Sequence, residues 1–351
     1  MATSRSGLHD RRGFEFWMNL TLACMALSVL LLALYSWKIG LGLLLLSCCT
    51  FISLETASAP PANRPDVFTT WQRLQRQRCP VLLCLGDSLL HGTISSSVTP
   101  EIPTKVCQAL GMELPLDRIF ADPIWVVNAA QNNITSHTVV NERLNKAMGC
   151  YPDYILIMIG TNDLLSVYNP STFGKSLIKM NELPEAPSLQ VFERNLTRTI
   201  NFIRQSSPLV QIGVCTLPPL GENLNSRSND LVRQANQIIE SVVAKEANER
   251  CSVVPVHSKF EAVLEKEGRK KFSLPLDISV FVSGLQVAAY HLLAPCGCFT
   301  WNMLGKLVGN SLLFDGIHLN DKGRDLVVEA IVDDWLVKKN IAKAIAVKTS
   351  S

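Results

Sequence analysis

The chain contains 351 residues, of which 47% are hydrophobic and 18% are charged. This size and composition allow one sizeable core and leave an apolar segment for lipid. The net charge of +3 is spread along the chain without a long Lys/Arg block, which argues against a nucleic-acid partner. The eleven cysteines include no CxxC pair, so a structural zinc site is not expected. No other metal and no organic cofactor is expected either.

The first predicted element, after an N-terminal tail at residues 1–16, is an apolar membrane segment at 17–54. Residues 17–36 carry no charge, and about twenty helical residues measure roughly 30 Å, which spans the hydrocarbon core of a bilayer. A second apolar run at 39–53 is short for a second span. Arginines on both sides leave two topologies open: one span with the enzyme beyond the membrane, or a hairpin with both ends in the cytosol. The sequence therefore predicts a membrane localisation, with the bilayer as a partner.

A linker and a single domain follow the membrane segment. Residues 55–79 are interpreted as the linker, because 55–65 is small, polar and proline-rich. Residues 80–342 are predicted to form the domain, and 343–351 a C-terminal tail. An apolar stretch at about 272–314 is interpreted as an insertion in the domain. It supplies either extra core or a lid or acyl-binding wall.

Short runs rich in Val, Ile and Leu alternate with segments of helical spacing through this domain. The predicted strands are residues 81–85, 125–129, 154–159, 210–216 and 252–256. The predicted helices include residues 136–148, 189–205, 230–248 and 322–340. Strands that alternate with helices indicate a parallel sheet covered by helices on both faces.

Three of the predicted strands end in polar loops. These loops are Gly86-Asp87-Ser88, residues 128–133 and Gly160-Thr161-Asn162-Asp163. In open parallel sheets, ligands bind beyond the carboxyl ends of the strands. The three loops are therefore expected to converge on one edge of the sheet.

The groups that activate a serine hydroxyl also occur in the domain. Such a hydroxyl is a weak nucleophile at neutral pH, so it needs a base, an acid that orients the base, and donors for the oxyanion. Asp315 and His318 lie close together just before a predicted helix, so one compact loop can present a carboxylate and an imidazole. Asn162 supplies a side-chain amide donor.

Three motifs in chain order give the domain a resemblance to a known enzyme family. They are Gly86-Asp87-Ser88-Leu89, Gly160-Thr161-Asn162-Asp163 and Asp315-Gly316-Ile317-His318-Leu319-Asn320. With these motifs the chain resembles the SGNH/GDSL hydrolases over about residues 81–335. The resemblance implies a three-layer α/β/α flavodoxin-like fold with a mainly parallel five-stranded sheet.

The resemblance also implies a role for each motif. Ser88 would be the nucleophile, His318 the base that takes its proton, and Asp315 the carboxylate that orients His318. The backbone N–H of Ser88 and the side chain of Asn162 would donate to the oxyanion. The reaction would pass through an acyl-enzyme that water then hydrolyses.

The chain departs from the family pattern in the loop at residues 127–135. The glycine that contributes to the family's oxyanion hole corresponds to Asn133 here. The backbone N–H is kept, but glycine is favoured where φ is positive or a substrate approaches closely, and asparagine is the next most tolerant residue. Asn133 is therefore expected to complete the oxyanion hole with Ser88 and Asn162. Asn133 and Asn195 each begin a glycosylation sequon, and a working site argues against a glycan on the first.

Simpler roles are open to several of these residues. Ser88 could cap the helix that follows it, and Asp87 is interpreted as a turn or cap residue. His91 and His257 could each be proposed as the base, but neither has an aspartate at the spacing that His318 has. The remaining histidines are interpreted as exposed or structural, and they are His9, His137 and His291.

The predicted activity is ester hydrolysis by a membrane-anchored serine hydrolase. The membrane segment and the apolar insertion favour a lipid or another acyl ester as the substrate. One alternative is a glycan O-acetyl esterase or acetyltransferase, since this fold supports several ester substrates. A second alternative is a catalytically weakened binding protein that keeps the fold, because Asn133 replaces the family's glycine.

Overall fold

A computed structural model describes residues 80–92, 101–112, 124–246, 249–268, 276 and 300–338. The predicted membrane segment at 17–54, both tails, the whole linker at 55–79 and most of the apolar insertion lie outside these ranges. Among the residues described, no helix has both the length and the apolar character needed to cross a bilayer.

A parallel sheet forms the centre of the described domain. Its strands are β1 (Val81–Gly86), β2 (Trp125–Asn128), β3 (Tyr154–Met158), β4 (Gln211–Cys215) and β5 (Cys251–Val254). They are ordered β2-β1-β3-β4-β5, and each neighbouring pair is parallel. This is the flavodoxin-like strand order. The predicted five-stranded parallel sheet is therefore confirmed, and each strand overlaps the run predicted for it.

Helices connect the strands and follow the last one. They are α1 (Ser88–His91), α2 (Ile102–Met112), the segment 136–150, which we call α3, α4 (Thr161–Tyr168), α5 (Lys175–Met180), α6 (Leu189–Ser206), α7 (Arg227–Lys245), α8 (Val256–Glu267), α9 (Trp301–Leu307) and α10 (Asp321–Ile331). Helix α3 contains a π-helical turn at Val139–Arg143, and further π-helical turns lie at Pro170–Gly174 and Val332–Val337.

The two faces of the sheet pack into separate apolar cores. All six residues of β1 are buried, and successive side chains of a strand point to opposite faces. Val81, Leu83 and Leu85 join a core that contains α3, α6 and α7. Leu82 and Cys84 join a second core that contains α2, α8 and α10. The domain therefore has the three-layer α/β/α architecture.

Helix α6 shows how the sequence determines one of these layers. Phe192, Leu196, Ile200 and Ile203 recur at helical spacing, and all four are buried in the first core. The helix begins where the Ser188 side chain accepts a hydrogen bond from the backbone N–H of Val191 at 3.1 Å. The periodic pattern and the cap together account for the agreement with the helix predicted at 189–205.

Caps also explain where the structure extends two of the predicted helices. Helix α7 begins at Arg227 rather than at residue 230, because Ser226 caps its first turn. Helix α10 begins at Asp321 rather than at residue 322, because the Asn320 side chain accepts a hydrogen bond from Gly323 N at 3.1 Å. A polar cap marks a helix start more closely than apolar periodicity does.

The insertion predicted at about 272–314 is described from residue 300 onward and at residue 276. In this part Trp301 is buried and packs edge-to-face on Phe314, with ring centroids 5.0 Å apart. Leu312 and Leu313 are buried in the second core. Residues 300–314 therefore add core beneath the loop that carries Asp315 and His318.

Candidate active site

Ser88 lies directly beyond the carboxyl end of β1. The strand ends at Gly86, where a Cβ atom would lie 2.3 Å from the Met158 carbonyl oxygen, so no larger residue fits there. Asp87 is the N-cap of α1, and its carboxylate accepts a hydrogen bond from Leu89 N at 3.1 Å. Asp87 therefore has the predicted cap role. Ser88 is the first residue of the helix, so the alternative role of Ser88 as its cap was wrong.

His318 joins Ser88 to Asp315 through both nitrogens of its ring. Nε2 lies 3.0 Å from Ser88 Oγ, and Nδ1 lies 2.8 Å from Asp315 Oδ2. The other Asp315 oxygen accepts hydrogen bonds from the backbone N–H groups of Ile317 and His318. The carboxylate thus fixes the loop and the orientation of the ring at once, as the spacing of the motif requires.

Electrostatics in this chain of hydrogen bonds favour an ion pair between Asp315 and His318. Burial alone would raise the pKa of Asp315, but the nearby imidazole and the three hydrogen bonds outweigh it and hold the pKa below its ordinary value. Burial alone would lower the pKa of His318, but Asp315 and, more weakly, Asp87 raise it above its ordinary value. The imidazole is therefore set up to accept a proton beside the Ser88 hydroxyl.

Asn162, in the loop after β3, contacts the loop after β2, which contains Asn133. Asn133 has φ of 59°, the left-handed conformation that favours glycine and that asparagine tolerates. Asn162 Nδ2 donates to the Ile134 carbonyl at 2.8 Å, which joins the two loops. Asn181 Nδ2 donates to the Asn133 carbonyl at 2.8 Å and holds the loop from the other side. A side-chain amide has two N–H groups, so Asn162 keeps a second donor beyond Ile134.

Asp163 stabilises the same pair of loops from beneath. Its carboxylate accepts hydrogen bonds from the backbone N–H and the hydroxyl of Ser136 at 2.9 and 2.7 Å. Asn195 Nδ2 donates to the same hydroxyl at 3.2 Å. Burial raises the pKa of Asp163 to about 6, although both Ser136 hydrogen bonds act in the opposite direction. Because Asn195 is fully buried, a glycan at its sequon is incompatible with the folded domain.

The alternative bases have other partners. His257 lies in the first turn of α8, where Nδ1 is 2.9 Å from the Leu217 carbonyl and Nε2 is 3.3 Å from Glu261 Oε1. His91 is buried in the last turn of α1. Among these three histidines, His318 is the one placed to accept a hydrogen bond from Ser88 Oγ, whereas His257 holds the loop after β4 against α8.

One cavity is lined by Ser88 and His318, and a second is lined by residues next to them in the chain. An open cleft of about 260 Å³ contains both residues, and Glu101 and Arg324 give its wall charged groups. A second pocket of about 200 Å³ is almost entirely apolar. It is lined by Leu89, Thr161, Leu164, Leu217, Pro218, Pro219, Leu220, Val232 and Ile317. Leu89, Thr161 and Ile317 are the chain neighbours of Ser88, Asn162 and His318, so this pocket adjoins the site.

Metal ligands do not assemble around this site. No group of three or more His, Cys, Asp and Glu residues suited to a metal ion occurs within the described part of the chain. The chemistry available on the described residues is that of a hydroxyl, an imidazole, a carboxylate and amide donors. This set activates a serine for attack on an acyl carbon.

The parallel α/β fold and this serine, histidine and aspartate arrangement define the class of a serine hydrolase. The sequence model of the GDSL-like lipase/acylhydrolase family matches residues 84–276, which is just over half of the chain. The chain belongs to this family, and it is a carboxylic-ester hydrolase. The matched range contains Ser88, Asn133 and Asn162 and ends before Asp315 and His318.

Several solved structures are similar to this chain. One is the acetyl xylan esterase AlAXEase, with 13% identity, a TM-score of 0.49, and coverage of 73% of this chain and 99% of that one. LAE5, an alpha/beta hydrolase from the metagenome of Lake Arreo, Spain, has 15% identity, a TM-score of 0.48, and coverage of 75% and 96%. The acetylxylan esterase Axe2 of Geobacillus stearothermophilus, solved as a catalytic mutant, has 16% identity, a TM-score of 0.48, and coverage of 72% and 92%. A comparison with curated proteins gives no match. At these identities and TM-scores the likeness says nothing about this chain's substrate.

Proposed function

We propose that Ser88 is the nucleophile of this hydrolase, with His318 as general base and Asp315 as the carboxylate that orients it. The observation that carries the proposal is the position of His318, which contacts Ser88 Oγ and Asp315 Oδ2 at hydrogen-bond distance. His318 Nε2 takes the hydroxyl proton as Oγ attacks the ester carbonyl. The protonated imidazole then gives the proton to the leaving alcohol, and an acyl-enzyme on Ser88 remains.

Water completes the proposed cycle. His318 removes a proton from the water as its oxygen attacks the acyl carbon, and the proton returns to Ser88 Oγ when the acid leaves. Both steps develop negative charge on the carbonyl oxygen. The proposed donors to this oxyanion are the backbone N–H groups of Ser88 and Asn133 and the Nδ2 of Asn162. The left-handed conformation of Asn133 supports this assignment, because it is the conformation in which glycine would serve equally well.

The conformation of Asn133 gives a prediction about its replacement. Asn133→Gly is expected to keep kcat within about threefold of wild type, because glycine adopts positive φ without strain and retains the backbone N–H. Asn133→Val is expected to lower kcat about 10²-fold and to destabilise the fold by about 1–3 kcal/mol, because a β-branched residue is strained at this φ. Steady-state kinetics and urea unfolding of the three proteins measure both effects. A valine variant with the kcat of wild type would contradict the proposal that Asn133 contributes to the oxyanion hole.

The apolar pocket supports an acyl ester as the substrate. All of its lining residues except Thr161 are apolar, so it suits the hydrocarbon part of an acyl group. The charged cleft beside Ser88 then remains for the leaving group. We propose hydrolysis of a lipid or other acyl ester, with the acyl chain in the apolar pocket. The same charged cleft favours, as a second candidate, an acetyl ester on a polar group such as a glycan.

Chain-length preference tests the substrate proposal. Val232 lines the pocket, whereas Val242 is buried on the same helix away from it. Val232→Ala is expected to raise the ratio of kcat/KM for longer over shorter acyl esters about 3–10-fold, because it enlarges the pocket by two methyl groups. Val242→Ala, the matched control, is expected to leave this ratio unchanged. If kcat/KM does not depend on acyl chain length in wild type or in either variant, and acetylated sugars are hydrolysed, the result supports an acetyl ester on a glycan instead.

The membrane proposal depends on residues 17–54, which lie outside the described residues. Their length and apolar character support an anchor that holds the hydrolase at a bilayer. The full chain is expected to remain with the membrane fraction after alkaline carbonate extraction. Release into the supernatant would contradict an integral anchor, and protease protection in sealed vesicles would assign the side that the domain faces.

A further inference from the structure

Glu222 is a buried carboxylate in the loop between β4 and α7. It follows a largely apolar stretch of the chain that contains Pro218, Pro219 and Leu220. Acidic side chains are seldom buried unless their oxygens are satisfied. Its hydrogen bonds therefore indicate what the residue does.

The carboxylate of Glu222 accepts hydrogen bonds from three consecutive backbone N–H groups. Oε1 accepts from Ser311, Leu312 and Leu313 at 2.8, 2.6 and 2.8 Å. Oε2 accepts from the Ser311 N–H at 2.8 Å and from its hydroxyl at 3.0 Å. Consecutive N–H groups that converge on one anion form an anion-binding nest, and here the protein itself supplies the anion. Hydrogen bonds to an ionised acceptor are about twice as strong as neutral ones.

The backbone that Glu222 holds forms the base of the loop with Asp315 and His318. Leu313 and Leu319 form an antiparallel bridge, and Phe314 N donates to the His318 carbonyl at 2.7 Å. The tip of the loop contacts the residue next to Glu222, because Gly221 N donates to the Gly316 carbonyl at 2.7 Å. The loop after β4 therefore holds both the base and the tip of the loop that contains His318.

We infer that Glu222 is a positioning residue, which sets the distance between His318 Nε2 and Ser88 Oγ. Ser88 is placed by β1, whereas His318 belongs to a loop 230 residues later in the chain. Glu222 links that loop to the end of β4, and β4 is joined to β1 through β3. This inference rests on the roles proposed above for Ser88 and His318. A shift of about 1 Å between reacting groups can lower a rate about 10²-fold, so the link matters for turnover.

Glu222→Gln tests the inference with little change in shape. The amide oxygen can take the Oε1 position, but the charge is lost and an NH₂ group replaces Oε2 beside the Ser311 N–H. We expect kcat to fall about 10–100-fold, with KM within about threefold of wild type. In an Asp315→Asn background the same change is expected to lower kcat less than about threefold further, because both residues act through His318.

The matched control is Asp153→Asn. A carboxylate oxygen of Asp153 also accepts a hydrogen bond from a backbone N–H group, that of Val81, at 3.0 Å. Asp153, however, lies at the amino-terminal edge of the sheet. This variant is expected to lower the unfolding midpoint and to leave kcat unchanged. If Glu222→Gln also lowers only the unfolding midpoint, with wild-type kcat, the positioning role is overturned. Equal fractional losses of kcat in the wild-type and Asp315→Asn backgrounds would overturn it as well.

Two further variants keep the result decisive. If Glu222→Gln does not fold, Ser311→Ala removes the hydroxyl contact to Oε2 and keeps the backbone N–H of residue 311, and a fall in kcat of about threefold or more is expected. Wild-type kcat in folded Ser311→Ala would then reject the inference. Ser88→Ala separates the two proposals: an active Ser88→Ala protein overturns the proposed function and this inference with it. If Ser88→Ala is inactive and Glu222→Gln is fully active, the role of Glu222 is overturned and the proposed function stands.

Discussion

Ser88→Ala is expected to lower kcat for ester hydrolysis about 10⁴–10⁶-fold, the largest effect that we predict for a single substitution. The substitution removes the Ser88 hydroxyl, whose oxygen lies 3.0 Å from His318 Nε2. Within the described site, this is the hydroxyl that His318 is placed to deprotonate. Labelling by a fluorophosphonate probe is expected to disappear in the same variant. Initial rates and the mass of the labelled protein measure the two effects.

A second serine provides the control for this prediction. Ser258 is exposed on α8, and its hydroxyl donates to the Pro255 carbonyl at 3.0 Å. Ser258→Ala is expected to retain both wild-type kcat and probe labelling. A folded Ser88→Ala protein with near wild-type turnover would contradict the proposed nucleophile.

Asp315→Asn is expected to lower kcat about 10⁴-fold at neutral pH. The side-chain oxygen of the asparagine can still accept hydrogen bonds from the N–H groups of Ile317 and His318. The NH₂ group of the asparagine then takes the place of Oδ2 and faces His318 Nδ1. An N–H that donates to Nδ1 forces the ring proton onto Nε2. The ring then has no lone pair toward Ser88 Oγ, and the serine loses its base.

The pH dependence of kcat/KM gives a second measurement on Asp315→Asn. Turnover requires neutral His318, so activity rises as the pH increases through the pKa of that residue. Asp315 and Asp87 face the ring and raise this pKa above its ordinary value. Removal of the Asp315 charge lowers the pKa again, so the acid limb of the profile is expected to move to lower pH. Burial raises the pKa of Asp87 to about 6, so its charge contributes to the same limb.

The control for this second prediction is Asp230→Asn. Asp230 is an exposed carboxylate on α7 that pairs with Arg233. Its replacement is expected to change neither kcat nor the acid limb, because exposed ion pairs contribute little and this one lies outside the site. An Asp315→Asn protein with the wild-type rate and profile would show that His318 does not depend on Asp315.

Local sequence patterns predicted the elements that carry the site. The runs of Val, Ile and Leu located each strand, because a strand buried on both faces is apolar at every position. The polar loops after β1, β2 and β3 were predicted to meet at one edge, and Asn162 contacts Ile134 there. Asp87 could also be read from the sequence, since an aspartate before a short helical run is a common N-cap.

Other parts of the site had no signal of this kind. Asp163 and Ser136 lie 27 residues apart, and nothing in either segment specifies the other. Glu222 lies 89 residues from Ser311, in a Pro/Gly-containing loop where an acidic residue is more often exposed. Such contacts depend on how two loops pack, which is the sum of many distant contacts along the chain.

Sequence patterns were enough to predict the succession of strands and helices along the chain, the family motifs, and the pairing of Asp315 with His318, which are near neighbours in one loop. These properties follow from periodicity and short-range geometry. The folded domain was needed to show that His318 reaches Ser88 across 230 residues, that Asn133 adopts positive φ, and that Glu222 holds the His318 loop. The reason is physical: the backbone conformation of a loop and the distance between loops are set by the packed sheet beneath them.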